Sequence, residues 1–158
     1  MNYKDLADHS RVWIYQANRR LTDAEVTEII GYGFKFIDQW AAHGSDLQAD
    51  FDVFYNQFIV LFVDESQVKA SGCSIDSSVR FIKEIEKEYQ LDLFDRLNLT
   101  YKSGSDVKMM AMSDFQSALE KGELNEETIV FNNLIGTKGD FETKWEVPVK
   151  ESWHMKLV

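Results

Sequence analysis

Hydrophobic positions along the chain change period several times, and each change predicts an element. RVWIYQA, residues 11–17, is dense in branched and aromatic side chains and reads as a strand, while residues 1–10 are polar enough for a loose N-terminal arm. From Thr22 the period becomes helical. Val26, Ile29, Ile30, Phe34, Ile37, Trp40 and Ala41 recur on one face, and Thr22 with Glu25 forms a capping box, so a helix is predicted over residues 22–42. Gly31 and Gly33 weaken its middle and Gly44 is a natural stop. FDVFYN and FIVLFVDE then read as two strands with little between them. Residues 58–63 are apolar without a break, the pattern of a central strand covered on both faces.

Ile75, Val79, Ile82, Ile85 and Tyr89 mark a second amphipathic helix over residues 75–89, with KEIEKE as its solvated, charge-paired side. NLTYKSGSDVKMMAM has the pattern of a hairpin turning at residues 103–106. Ser113 is placed to cap a short helix, DFQSALEKG, that Gly122 ends. ETIVFNN is a further strand, FETKWEVPV is extended around the single proline, and KESWHMKLV has no clear period. No repeat, low-complexity tract or linker interrupts residues 1–158. Helices interspersed with hairpins predict an α+β fold: one compact domain, a mainly antiparallel or mixed sheet, and two main helices packed on it.

Composition narrows the classes. Seventeen basic against 27 acidic residues give a formal net charge of −10 with no basic stripe, which argues against nucleic acid and against an anionic membrane surface as partners. The first 30 residues lack a basic start followed by an apolar stretch, and no window approaches the ~20 apolar residues that span a bilayer, so a soluble, cytoplasmic protein is expected. One cysteine excludes an internal disulfide and a cysteine-rich zinc site. The three histidines are far apart, without H-x-x-x-H spacing, so neither a metal nor a cofactor is implied.

The best address for chemistry is the loop between the apolar strand and the second helix, SGCSIDSS, residues 71–78. Strand ends and helix N-termini meet ligands in sheets carrying helices, and small residues such as Ser71, Gly72, Ser74 and Ser77 let a small anion approach the backbone. Cys73 is the candidate nucleophile or redox-sensitive thiol, and would need a histidine to take its proton. His154, beside Trp153 in SWHMK, and His43, at the end of the first helix, are the candidates; His9 lies in the expected arm. Each has a plainer reading. Serines cap helices, lone cysteines pack as hydrophobes, His43 complements a helix dipole, and Trp153 with His154 forms a partly buried tail. Asp64 and Glu65, adjacent at a strand end, point to opposite faces and are no carboxylate pair.

RVWIYQANRRLTDAE, VDES, SGCSID, LFDRLN, TIVFNN, WEVP and SWH together resemble a family of small bacterial proteins of unknown function, over nearly the whole chain. Members of that family often carry the label "ABC transporter ATPase". That label implies a G-x-x-x-x-G-K-[ST] loop, yet none of the eight glycines is followed by lysine, so ATP hydrolysis is not expected. ALEKGELNEETIVF also resembles, over a short span, the helix–Gly–turn–strand of GYF-type peptide-binding modules. The 11 Phe, 6 Tyr and 4 Trp would fill a core and can leave rings such as Trp145 and Trp153 for a protein partner. The sequence therefore points to a non-catalytic binding or adaptor protein. The alternative is a small thiol-dependent enzyme or redox- or anion-sensing protein centred on Cys73.

Overall fold

A computed structural model describes residues 2–41, 48–65 and 72–158, apart from the side chains of Ala41 and Cys73. The fold is α+β; among the described residues every strand pairing is antiparallel, and the strands form two sheets where one was expected. Each sheet has its own hydrophobic cluster. The first unit runs to Phe94 and takes in Gly136–Gly139; the second comprises Asp95–Ile135 and Asp140–Val158.

In the first unit, β1 (Arg11–Gln16) and β2 (Gln48–Phe54) flank β3 (Phe58–Asp64). Phe58, Ile59, Val60, Leu61, Phe62 and Val63 are all fully buried, as an uninterrupted apolar run requires of a strand covered on both faces. Ile59, Leu61 and Val63 share one face and pack in a cluster with Ile29 and Trp40 of α1 (Asp23–Ala41) and Ile82 and Ile85 of α2 (Gly72–Tyr89). On the other face the Tyr3 ring stacks on Phe62 at 4.5 Å and meets Phe54 edge-on. The loose arm expected over residues 1–10 is therefore, from Asn2 on, part of the fold. Tyr3–Asp5 forms a 3₁₀ turn, and Leu6 and Ser10 are buried, because β3 presents apolar side chains on this face too.

The face of α1 that packs on the sheet is the predicted one at Val26, Ile29, Ile37 and Trp40, and Gly33 explains why it departs at Phe34. Phe34, placed on the apolar stripe, is 49% exposed, and Gly33 is buried under the Phe51 ring instead. A Cβ at Gly33 would lie 2.1 Å from Phe51 Cδ1, so only glycine allows this approach of helix to sheet. The start of α1 is held as the capping box predicts: the Glu25 amide donates to Thr22 Oγ1 and the Thr22 amide to Glu25 Oε1. The β2–β3 turn adds a second hold. Tyr55 and Asn56 adopt φ of 56° and 52°, and the Asn56 side chain donates to the Leu21 carbonyl at 3.1 Å and the Asp23 carboxylate at 2.8 Å.

In the second unit β4 (Asn98–Ser103) and β5 (Asp106–Ala111) form the predicted hairpin, with Gly104 at φ 64° in its turn. β6 (Ile129–Phe131) and β7 (Glu146–Pro148) complete the order β5-β4-β6-β7. The helix α3 (Met112–Glu120) includes Ser113 rather than being capped by it; Ala111 stands at the cap position, and Gly122 at φ 76° ends the helix. Residues 141–144, predicted as extended, are helical within α4 (Lys138–Lys144). Phe141 and Trp145 lie four residues apart, and a helical turn lets their rings stack at 4.7 Å while Trp145 meets Phe131. The C-terminal residues form two 3₁₀ turns, Val149–Glu151 and Trp153–Leu157.

Candidate functional site

Of the residues singled out for chemistry, Ser71 and His43 lie outside the described residues, as does the Cys73 side chain. Gly72 opens α2 and is exposed; Ser74 and Ser77 are half-buried within its first two turns. SGCSIDSS is thus from Gly72 onward helix rather than a capping loop, which starts three residues earlier than the apolar period indicated. The Trp40 indole donates to the Ser74 carbonyl at 3.0 Å, Arg80 donates to the Ser77 hydroxyl at 3.3 Å, and the Ser78 hydroxyl donates to the Ile75 carbonyl at 2.6 Å. Asp64 and Glu65 face separate partners, the His9 ring at 3.6 Å and the Arg11 guanidinium at 3.3 Å.

Trp153 and His154 belong to the second unit, where they stack at 4.0 Å. The His154 ring is buried, also packs against Phe115, and has Nδ1 2.6 Å from the Ser152 hydroxyl. Burial lowers its pKa to about 4. A buried imidazole of this kind stays neutral near pH 7 and takes a proton there poorly, which fits a packing role better than a general base.

Geometry points elsewhere, to the paired helices of the first unit. α1 and α2 run antiparallel: Glu28 meets Tyr89 at one end, Phe36 meets Phe81 midway, and Trp40 meets Ser74 at the other. Between them lies a groove of about 360 Å³. Tyr32, Phe36 and Gln39 line it from α1 at helical spacing, with Lys35 on the same rim. Phe81, Ile85 and Tyr89 line it from α2, with Glu84 and Glu88 on the opposite rim. The floor is a run of stacked rings. Phe36 and Phe81 stack in parallel at 4.5 Å, Phe36 continues onto Trp40 at 5.3 Å, and Phe81 meets Phe51 edge-on at 5.8 Å, so the groove rings pack directly on the core.

One end of the groove is held by a polar knot. Arg19 reaches Glu25 with two hydrogen bonds, at 2.9 and 2.7 Å, and also donates to the Tyr89 carbonyl, where α2 ends. The Arg19 hydrogen bonds, then that of the Thr22 amide, hold the Glu25 carboxyl down to about 2. The Tyr89 hydroxyl donates to Glu28 at 3.1 Å, and its pKa rises to about 12, first through burial and then through that bond.

The chain matches no family model, no curated protein and no solved structure. The groove therefore stands on its own chemistry. Among the described residues no three His, Cys, Asp or Glu side chains gather as metal ligands, and no helix is long and apolar enough to cross a membrane. Sequence reasoning missed Tyr32, Phe36 and Phe81 because each sits beside the core stripe rather than on it. Their signal was a second stripe: Tyr32 and Phe36 four residues apart, and Phe81, Ile85 and Tyr89 repeating the same interval.

Proposed function

We propose that this chain is a non-catalytic binding protein of the cytoplasm that docks a protein partner in the groove between α1 and α2. One observation carries the reading: a preformed groove whose aromatic floor is stacked into the core while Tyr32 remains 45% exposed above it. Protein-binding surfaces concentrate aromatic anchors in this way, and a floor that needs no rearrangement spares the ordering cost of binding. The acidic surplus disfavours nucleic acid as the ligand. The resemblance to small bacterial proteins labelled as transporter ATPases then describes a binding protein without nucleotide chemistry, in keeping with the missing phosphate loop.

A displayed library of random peptides, panned on the folded protein, tests the reading. Binders with dissociation constants on the order of micromolar are expected. They should shift the NMR signals of Tyr32 and Phe81 and weaken on Tyr32→Ala. Binders that leave those signals unmoved, or a library that yields none, would refute it.

A further inference from the structure

We infer that the partner segment is a basic amphipathic helix, one that lays an apolar stripe on the Phe36–Phe81 floor and sets Lys or Arg against Glu84 and Glu88; this rests on the groove being the docking site. Three observations lead there. The groove lies between two antiparallel helices and extends over residues 32–39 of α1 and 81–89 of α2. At 1.5 Å per residue that is roughly 10–12 Å, the length of two helical turns. A third helix laid along such a pair places residues spaced i, i+3, i+4 and i+7 on the floor. The groove is also open: Tyr32, Lys35, Gln39, Glu84 and Glu88 are all exposed. A small molecule here would keep much of its surface in water, whereas a helix needs only one face covered.

Charge selects the kind of helix. Glu84 and Glu88 stand one turn apart on the α2 rim, and Glu28 adds a carboxylate at the Tyr89 end, against Lys35 alone on the α1 rim. Carboxylates one turn apart match cations one turn apart on a facing helix. The chain's net charge of −10 attracts basic partners from a distance. Lys35 breaks the symmetry, so the incoming helix has a preferred side for its basic rim.

The test uses displayed helical peptides of about 18 residues, long enough to hold a helix on the groove, panned on the whole protein. The expected winners carry Lys or Arg at i, i+4 beside an apolar stripe. Their affinity should fall about tenfold on the Glu84→Lys, Glu88→Lys double substitution and should weaken with added salt. Both positions are solvent-exposed, and circular dichroism checks that the variant stays folded. Groove-binding winners that are acidic or uncharged, or that ignore the double substitution, overturn the basic helix and leave the groove as the docking site. The absence of any groove-binding peptide overturns both.

Discussion

The two units spend their aromatic residues in opposite ways. In the first, Trp40, Phe36 and Phe81 stack in a run that leads from the core to the groove, and Tyr32 on the groove's edge is left 45% exposed. In the second, Phe115 is sealed at zero exposure and the rings of Trp153 and His154 stack beside it, so a titratable group is itself part of the core. A high aromatic content is thus equally compatible with a surface built to bind and with an interior built to pack. What separates the two is whether the rings lie on the core stripe of a helix or one position beside it.

The sharpest way to break that comparison is to remove a sealed ring. Phe115→Ala should cost the second unit about 3–5 kcal/mol in chemical denaturation, because the cavity is enclosed. Tyr32→Ala, on an exposed ring, should stay within about 0.5 kcal/mol. Equal losses at the two positions would show that the exposed ring is structural after all. The glycines of α1 give the next largest effect. Gly33→Ala drives a Cβ into the Phe51 ring, which is itself 1% exposed and has little room to move, at a cost of about 1–3 kcal/mol. Gly31 meets nothing within 4 Å, so Gly31→Ala should instead gain about 0.5–1 kcal/mol of helix stability. If both substitutions move stability in the same direction, the close approach at Gly33 is not what holds the helix to the sheet.

These glycines also show how far the sequence could be read. β3 was legible because six consecutive apolar residues have few other uses, and the capping box because its two partners are neighbours in sequence. Gly33 was not: its value depends on Phe51, brought across by β2, and no local pattern records a contact between residues so far apart in the chain. The same holds for the arm. Tyr3 is polar in company and aromatic in effect, and its place on Phe62 follows only once β3 is known to need cover on its second face. The division into two sheets was hidden because strand patterns give register and face but not which strand pairs with which. As for the groove, Tyr89 packs on the core as its stripe predicts, while Phe36 and Phe81 lie beside the stripe, and rings in that position become a site only when two helices bring their second stripes together.

Acid separates the units by a smaller margin. Unfolded, the His154 imidazole takes its proton near 6.5; folded and buried, it does so only at about 4. Between those values the unfolded chain binds the extra proton, so stability rises with pH across the window, is complete above about 6.5 and falls away below it. At about pH 5 the loss should reach roughly 2 kcal/mol relative to pH 8. Denaturation curves of the wild type and His154→Phe at the two pH values check this. The substitution should abolish the slope whatever it does at neutral pH, and an unchanged slope would place the titrating group elsewhere.

The smallest effect belongs to the first unit and appears at lower pH. Glu25 titrates near 4.5 when unfolded and at about 2 when folded, because Arg19 and the Thr22 amide bind its charged form. A depressed carboxyl contributes stability that is complete above the unfolded value and lost as pH falls towards the folded one, so the window runs from about 4.5 down to about 2, below the His154 window. The magnitude is modest, since the Arg19 side chain is 40% exposed and solvent screens the pair: about 1 kcal/mol is expected. Glu25→Gln isolates that term, because glutamine can still accept the Thr22 amide and complete the capping box while removing the charge. The variant should be about 1 kcal/mol less stable than wild type above pH 5, the difference should close as pH approaches 2, and high salt should shrink it. A difference that persists unchanged at low pH would mean the side chain matters for its shape, and that the knot beside the groove is held by packing rather than by charge.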